Sequence, residues 1–278
     1  MGFSINTNIN AMTANMHSNF QNTNTDRSLS ALSSGSALGS ASYNAAGLAI
    51  ANELSAQVAG MGQGIRNSND SIGMLQVADG ALQGYNDVLD RVKTLTLQAS
   101  NGILNDDDRQ IIQNEIDTLL ESADDIAKNT TFNGINLLTG TAGSGGDGNL
   151  ITQTGPDAGN TISINFGDAQ TSAVLSGTID VTTQAGASAS LNIVDDAVET
   201  INTMRAGFGA SQNALMSSIK NTSVTQINIA AAESQIRDID FAAESANFSQ
   251  ANLMSQIGSF AQAQSNSIKA NNIAGLLG

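Results

Sequence analysis

The sequence predicts a mainly α-helical protein in which both chain ends contribute long antiparallel coiled-coil helices and the middle adds a small β-hairpin region. Apolar residues recur three and four positions apart on both sides of the middle. Only 4% of the residues are aromatic, Trp is absent and Pro occurs once, whereas 40% are hydrophobic. Such a chain has few bulky anchors for a globular core but many aliphatic side chains for helix seams, so elongated helical packing is expected.

The chain is expected to fold back on itself, because helical periodicity stops near residue 140 and resumes at residue 191. Segments that are far apart in sequence would then share a domain. The expected division is a coiled-coil domain from residues 1–43 and 237–278, a rod-like helical domain with a hairpin from residues 44–140 and 191–236, and a small Gly/Ser/Thr-rich β and loop region from residues 141–190.

Both chain ends carry an amphipathic pattern with almost no charge. Residues 1–52 contain only Asp26 and Arg27 as charged side chains, and residues 245–278 contain only Lys269. The apolar stripes at helical spacing are Ile5, Ile9, Met12, Met16 and Phe20 at the first end and Leu253, Ile257, Phe260 and Ile268 at the other. The opposite faces are amides and hydroxyls, so each helix would be marginal alone in water and would gain by burial against partners. The alternative is that these stripes close a core within one monomer.

The longest periodic segment spans residues 44–102 and predicts a helix about 85 Å long, at about 1.5 Å per residue. Its a and d seam is Ile50, Leu54, Val58, Met61, Ile65, Ile72, Leu75, Leu82, Leu89 and Val92. Six glycines between Gly60 and Gly84 interrupt the helix, each at roughly 1 kcal/mol of helix propensity relative to Ala. Because small residues let neighbours approach closely, we expect this helix in a multi-helix or multi-chain array.

A second helix is predicted to begin at the acidic residues 106–108, because carboxylates favour the positive end of the helix dipole. Its apolar seam is Ile112, Ile116, Leu119, Ala123 and Ile126. Residues 130–138 predict a short hairpin whose two-residue turn is Asn133-Gly134. Two further strands are predicted at residues 162–166 and 173–183, in a region that glycines punctuate.

Composition excludes several classes of partner. A net charge of −15 would repel a phosphate backbone or an anionic membrane, so neither nucleic acid nor a membrane is expected to bind. Cys is absent, which excludes disulfides, thiolate metal sites and Cys nucleophiles. The first residues lack the basic start and apolar run of a secretory signal peptide, so export would have to use another route.

No motif predicts catalysis, a metal or a cofactor. His17 is the single histidine and has no clustered carboxylate near it in sequence. Gly143, Gly145 and Gly148 satisfy G-x-G-x-x-G, but no helix is expected after them, so a phosphate would meet no helix N-terminus. The acidic run at residues 106–108 lacks the ligand spacing of a calcium loop.

Several spaced motifs resemble those of bacterial flagellin, and together they cover residues 1–140 and 191–278. They are INTN at 5–8, LSSG at 32–35, AAGLAIAN at 45–52, RNSND at 66–70, QVADGAL at 76–82, RVK at 91–93, FNG at 132–134, SQIRDIDFA at 234–242 and AQSN at 263–266. Blocks in the same order and spacing are far more specific than any single motif. At residues 35–45, however, Ala37 and Tyr43 stand among the positions where a basic residue and an acidic pair are usual, so charged contacts are not expected there.

The resemblance implies a structural protein rather than an enzyme. Flagellins place their paired ends in a coiled coil that lines a tubular filament, with the longer helices in a rod outside it. This chain would therefore be a short secreted subunit that polymerises into the extracellular filament used for swimming. Its implied partners are many copies of itself, an export chaperone, a filament cap and hook–filament junction proteins. The residues expected to pack in the inner core of the filament are Ile5, Ile9, Met12, Met16, Phe20, Phe248, Ile257, Phe260, Ile268, Leu276 and Leu277.

The resemblance also implies a contact with the vertebrate innate flagellin receptor. The matching positions are Arg91, Leu95 and Glu115. Arg91 and Leu95 are four residues apart and therefore share a helix face. Thr94 replaces a carboxylate that is common in strong agonists, which would weaken the contact.

Three other interpretations predict different features. A hook–filament junction protein has similar terminal arms, but the density of motifs in both arms favours flagellin. An enzyme would need catalysis within residues 140–190, which contain acidic residues but no His, Lys, Arg or Cys. A signalling coiled coil would show sustained heptads with charged flanks and no β interruption.

Overall fold

The computed structural model describes residues 7–143 and 145–277, and the chain divides into two compact units. The terminal unit consists of residues 1–56 and 228–278, and the central unit consists of residues 57–227. The described helices are α1 (Ile9–Ser34), α2 (Ala45–Ala99), α3 (Asp106–Asn129), α4 (Thr171–Val174), α5 (Gln184–Arg237) and α6 (Phe241–Leu277). The described strands are β1 (Thr131–Phe132), β2 (Ile135–Asn136), β3 (Asn149–Gln153) and β4 (Thr161–Asn165). The predicted class, mainly α with a small β region in the middle, is confirmed.

An antiparallel pair of helices, α1 and α6, forms most of the terminal unit. The Asn8 amide donates a hydrogen bond to the side chain of Asn266 over 3.1 Å. The Ser255 hydroxyl donates to the side chain of Asn22 over 2.6 Å. The beginning of α1 therefore lies beside the end of α6, as the two amphipathic ends predicted.

The connector from α1 to α2 folds within the terminal unit without ionic contacts between its own residues. α1 ends at Gly35, which has a left-handed φ of 70° that suits glycine. The backbone N–H of Ala37 then donates to the carbonyl of Arg237 over 2.8 Å, which pairs the connector with the end of α5. The Arg27 guanidinium lies 4.5 Å from the centre of the Tyr43 ring. This cation–π contact holds the connector against α1.

Parts of α2 and α5 form an antiparallel pair in the central unit. The Gln226 amide donates to the carbonyl of Val58 over 3.0 Å. Lys93 and Asp195 form an ion pair of 2.5 Å further along α2. The hydrogen bond from Lys93 to Asp195 raises the pKa of the ammonium group above its ordinary value. Both side chains are substantially exposed, so this pair contributes little to stability.

The predicted seam of α2 enters the core of the central unit from Ile72 to Val92, and Met61 is also buried. The largest fully buried side chains are Tyr85, Phe166, Phe208, Leu75, Leu82, Leu89, Ile116, Leu137, Leu138, Ile164, Ile201 and Leu215. The seam residue Ile50, in the terminal unit, is instead 50% exposed. Ile50 belongs to neither of the two buried apolar clusters of the described residues, since both lie within residues 57–227.

α3 begins at the predicted acidic run, and a capping box fixes its first turn. The Asn105 side chain accepts from the N–H of Asp108 over 2.8 Å, and the Asp108 carboxylate accepts from the N–H of Asn105 over 3.4 Å. Arg109, whose role was not predicted, is only 5% exposed. Its guanidinium donates to three main-chain carbonyls at 2.9 Å each: those of Ala99, Asn101 and Leu104. Arg109 therefore ties the end of α2 to the start of α3.

Two glycines of α2 make room for the segment that follows β3. A methyl group at Gly60 would lie 2.8 Å from the Cβ of Pro156, and one at Gly64 would overlap the carbonyl of Thr154. A methyl group at Gly73 would have nothing within 4 Å. The predicted close approach therefore occurs at Gly60 and Gly64, where the neighbour is a loop, and it does not occur at Gly73.

The strand predictions are partly right. β1 and β2 form the predicted hairpin, and Asn133 and Gly134 have φ values of 51° and 77°, as a type I′ turn requires. The predicted strand at residues 162–166 is β4, and its antiparallel partner β3, paired from Asn149 to Gln153, was not predicted.

The strand predicted at residues 173–183 is wrong. Residues Thr171–Val174 form the short helix α4, and residues 175–183 are neither helix nor strand. Ile179 and Val181 are two residues apart, as in a strand, but both side chains enter the core and neither residue lies in a sheet. The Gln113 side chain supplies the missing partner: it donates to the carbonyl of Ile179 over 3.1 Å and accepts from the N–H of Val181 over 2.8 Å.

The two classes of glycine in α2 should respond oppositely to alanine. We expect Gly64→Ala to lower the free energy of unfolding by more than about 1 kcal/mol, because its methyl group overlaps the Thr154 carbonyl. The matched control Gly73→Ala should raise it by roughly 0.5–1 kcal/mol, because open space leaves only the gain in helix propensity. Urea unfolding of the full-length monomer, followed by circular dichroism, measures both. Equal effects of the two substitutions would contradict the docking of the loop on α2.

Candidate assembly interface

The apolar stripe of α1 is exposed along about three turns of the helix, from Ile9 to Phe20. The exposed fractions of Ile9, Met12, Met16 and Phe20 are 67%, 64%, 61% and 63%. The fifth predicted member, Ile5, lies outside the described residues. Soluble monomers rarely expose an apolar surface of this length unless it binds something.

α6 carries a second exposed stripe. Leu253, Ile257, Phe260 and Ile268 are each more than half exposed, and Phe260 reaches 71%. Phe248, also predicted to pack in the filament core, is only partly exposed. The side chains of Leu276 and Leu277 lie outside the described part of the structure. Three exposed apolar residues of these helices were not predicted: Leu29 at 54%, Phe241 at 66% and Met254 at 46%.

Small and polar side chains, not the stripes, make the contact between α1 and α6. The buried residues of α1 are Ala11, Ser28 and Ala31. On α6, a methyl group at Gly258 would lie 3.3 Å from the Cβ of Ser18, which measures how closely the helices approach. Within the described residues, the stripes therefore do not close a core inside the monomer.

Two open clefts lie between α1 and α6, and only the second is mainly polar. One has a volume of about 630 Å³ and is lined by residues that include Met12, Met16, Asn15 and Gln262. The other has a volume of about 450 Å³ and is lined by residues that include Met254. The helix pair is thus incompletely filled, and water reaches its flanks.

Charge is distributed so that the stripes can be buried. α1 contains only Asp26 and Arg27 as charged residues, and α6 contains only Glu244 and Lys269. Most of the 25 acidic residues lie in the central unit. Burial of the stripes would therefore desolvate almost no charge, which is the main penalty in a polar interface.

A metal site, a phosphate-binding loop or a membrane-spanning helix among the described residues would indicate another function. No group of three or more His, Cys, Asp or Glu side chains within residues 7–143 and 145–277 could hold a metal ion. The loop with Gly143 and Gly148 leads into strand β3, so it does not meet a helix N-terminus. None of the helices in the described part of the chain is long and apolar enough to cross a membrane. The Tyr85 hydroxyl is buried without a described hydrogen-bond partner, and burial raises the pKa of its phenol far above the ordinary value.

Two of the three residues matched to receptor contacts come together on the surface. Arg91 on α2 and Glu115 on α3 form an ion pair of 2.8 Å, with exposed fractions of 60% and 46%. The third, Leu95, is only 5% exposed and packs in the core with Ile112 and Ile116. Its side chain is therefore not available for the direct contact that the resemblance implied. Arg91 lies at the surface, whereas Leu95, one helical turn further along α2, is buried.

Comparison with protein families matches both arms of the chain. Residues 5–143 match the model of the bacterial flagellin N-terminal helical region, and residues 191–276 match that of the bacterial flagellin C-terminal helical region. The chain is 36% identical to flagellin of Bacillus subtilis, over 94% of this chain and 96% of that protein. It is 32% identical to the flagellar filament 31.3 kDa core protein of Treponema maltophilum, over 98% and 99% of the two chains.

Solved structures share the fold. The crystal structure of Bacillus cereus flagellin matches with a TM-score of 0.50 and 30% identity, over 60% of this chain and 94% of that chain. A flagellar hook-associated protein of Vibrio parahaemolyticus matches with a TM-score of 0.58 but only 18% identity, over 70% and 100%. The second match shows the fold alone, whereas both family models and the curated relatives agree on one family.

Exposed and buried phenylalanines should differ sharply in their effect on the monomer. We expect Phe20→Ala and Phe260→Ala each to change the free energy of unfolding by less than about 0.5 kcal/mol, because both rings are exposed. The control Phe208→Ala, at 1% exposure, should lower it by roughly 3–5 kcal/mol. Urea unfolding at a protein concentration that prevents association measures this. A cost at Phe20 comparable to that at Phe208 would mean that the stripes do close a core within the monomer.

Proposed function

This chain belongs to the bacterial flagellin family, and on that premise we propose that the exposed stripes of α1 and α6 are the surface through which it polymerises. The chain is a structural subunit of the flagellar filament, which is extracellular, and it is not an enzyme. The observation that carries the proposal is the exposure of eight large apolar side chains on two nearly uncharged helices.

Burial of the stripes supplies the driving force for association. Covering one Leu, Ile, Met or Phe side chain contributes about 1.5–3 kcal/mol. Ordering the long terminal helices opposes this, at about 1–2 kcal/mol for each residue that becomes fixed. The monomer keeps α1 and α6 together by small-residue contacts, so part of that ordering precedes association.

The geometry favours an open polymer over a closed dimer. Within the monomer the stripe of α1 does not cover the stripe of α6, so each needs a surface on another copy. When two different surfaces meet and the rotation between copies does not close, the result is a helical filament. This heterologous mode accounts for both stripes with one kind of partner.

We assign the inner core of the filament to residues 1–43 and 237–278, because these segments hold the uncharged stripes. The rod-like layer would comprise residues 44–140 and 191–236, and residues 141–190 would form a small outer β region. The acidic residues that dominate the central unit would then remain in solvent.

The exposed stripe of α6 also supports the other implied partners. An apolar helix face must be shielded before polymerisation, which suits an export chaperone that binds α6. The filament cap and the junction proteins would meet the same surfaces at the two ends of the polymer. Export would proceed without cleavage of the N-terminal segment, through the flagellar type III route.

Recognition by the vertebrate innate flagellin receptor is a second proposed function, supported by the exposed Arg91–Glu115 pair. The pair joins α2 to α3 and presents an arginine and a carboxylate together. Leu95 would act from the core, by holding the helix face that carries Arg91. Contact would be limited to the monomer if the filament covers this surface.

Polar substitution of the stripes should block polymerisation. We expect the double variant Phe20→Ser with Phe260→Ser to raise the critical concentration for polymerisation by at least about tenfold, because polymerisation would then bury two hydroxyls instead of two aromatic rings. The matched control is Ile151→Ser, which removes an equally exposed apolar side chain (68%) from β3. Seeded growth on sheared filament fragments, measured by sedimentation, gives the critical concentration. Normal polymerisation of the double variant would exclude the stripes as the assembly surface.

Loss of the arginine should weaken the receptor response. We expect Arg91→Ala to raise the monomer concentration for half-maximal response by about tenfold, because it removes one charged contact. The control is Arg66→Ala on the same helix, where the guanidinium bonds only to Gln63 in the structure. Reporter cells that express the receptor provide the assay. Equal responses to both variants would contradict the assignment.

A further inference from the structure

We propose that Met12, Met16 and Met254 are oxidation sites through which hydroperoxides control polymerisation. The proposal rests on the assembly surface proposed above and adds a modification chemistry to it. The three residues share two properties: each lies beside an apolar stripe or within it, and each is accessible to solvent in the monomer.

The thioethers of α1 lie on its exposed stripe. Met12 and Met16 are one turn apart, with exposed fractions of 64% and 61%. Both also line the cleft of about 630 Å³ between α1 and α6, together with Asn15 and Gln262. A small hydroperoxide can therefore reach both sulfur atoms without any opening of the fold.

The thioether of α6 is similarly placed. Met254 is 46% exposed and follows the stripe residue Leu253. It lines the second cleft, of about 450 Å³, with Asn24, Arg27 and Asn247. Both clefts are open to solvent and contain amide side chains, so water and a small oxidant can enter them.

Three of the four other described methionines provide internal standards. Met61 and Met74 belong to the central unit and are only 8% and 4% exposed. Met216, also in the central unit, is 55% exposed and lies on no terminal stripe. Burial protects a thioether from oxidants, so Met61 and Met74 should react slowly, whereas Met216 should react like the three assembly residues.

The chemistry is an oxygen transfer with a balanced outcome. The sulfur lone pair attacks the terminal oxygen of the hydroperoxide, an S–O bond forms and the O–O bond breaks. Sulfur loses two electrons to the peroxide. The transferred hydroxyl gives up its proton to the departing oxygen, which leaves as water or an alcohol. The product, methionine sulfoxide, replaces an apolar flexible side chain with a strongly polar one.

The sulfoxide acts on assembly and not on the fold. In the monomer the new oxygen stays hydrated, because the three side chains face solvent. Polymerisation would bury it against apolar side chains, where a polar group without a hydrogen-bond partner is unfavourable. Oxidised subunits are therefore excluded from the polymer, and subunits already assembled are protected at these positions.

The experiment uses the full-length monomer and hydrogen peroxide. After removal of the peroxide with catalase, peptide mass spectrometry maps each sulfoxide and seeded growth gives the critical concentration. We expect oxidation at Met12, Met16, Met254 and Met216 well before Met61 and Met74, with a critical concentration raised by about tenfold. Treatment with a methionine sulfoxide reductase should restore the original value.

Variants identify the responsible residues. Each is compared with its own untreated sample, so any effect of the substitution itself cancels. We expect peroxide to raise the critical concentration of the Met216→Leu control as it does for the unmodified chain. It should raise that of the triple variant Met12→Leu, Met16→Leu and Met254→Leu by less than about twofold, because no oxidisable thioether remains on the stripes. Filaments treated with peroxide should show sulfoxide at Met216 but little at the three assembly positions.

Two results would overturn the proposal. One is normal polymerisation of a monomer that carries all three sulfoxides. The other is oxidation of the three residues in filaments as fast as in the monomer. Suppose that either result is found and that the Phe20→Ser and Phe260→Ser double variant fails to polymerise. The proposed control by oxidation would then be wrong, whereas the proposed assembly surface would still hold. Normal growth of that double variant would instead reject the assembly surface itself.

Discussion

Close approach of α1 and α6 is the constraint on which the rest of the terminal unit depends. A methyl group at Gly258 would lie only 3.3 Å from the Cβ of Ser18, so the two helices approach closely at this point. The contact is therefore made by small residues and by amide and hydroxyl hydrogen bonds, each of which contributes only about 0.5–1.5 kcal/mol net. The long apolar side chains of the stripes lie outside this contact and are exposed.

The central unit follows the opposite rule. Its α2 and α5 segments bury large side chains such as Leu82 and Phe208, and its connections are tied by buried groups such as Arg109. A missing partner strand is replaced by the Gln113 side chain, which satisfies two backbone groups of residues 179–181. The central unit therefore has two buried apolar clusters, although it also exposes apolar residues such as Ile103, Ile111 and Ile227. The terminal unit combines its exposed stripes with few charged residues, whereas most of the acidic residues lie in the central unit.

Periodicity and turn chemistry predicted much of this structure. The bounds of α2 and α3 and the Asn133-Gly134 hairpin depend on neighbouring residues, so sequence spacing was sufficient for them. Tertiary context decided the rest. Ile179 and Val181 have the spacing of a strand, but their side chains pack in the core beside α3. Leu95 shares a helix face with Arg91, yet one turn of helix separates surface from interior. The described residues of the two stripes lie where their helical spacing predicted. Their exposure could not be predicted from spacing, because it depends on how α1 and α6 pack together.

The amides along α1 have a mechanical consequence. Asn8, Asn15, Asn19 and Asn22 recur along the helix, and α6 presents Ser255, Gln262 and Asn266 opposite them. Such donors and acceptors are chemically interchangeable, and no ion pair between the two helices fixes one register among the described residues. Resistance to an axial displacement therefore rests on steric fit, at contacts such as the close approach of Gly258 to Ser18, and not on the pairing of opposite charges.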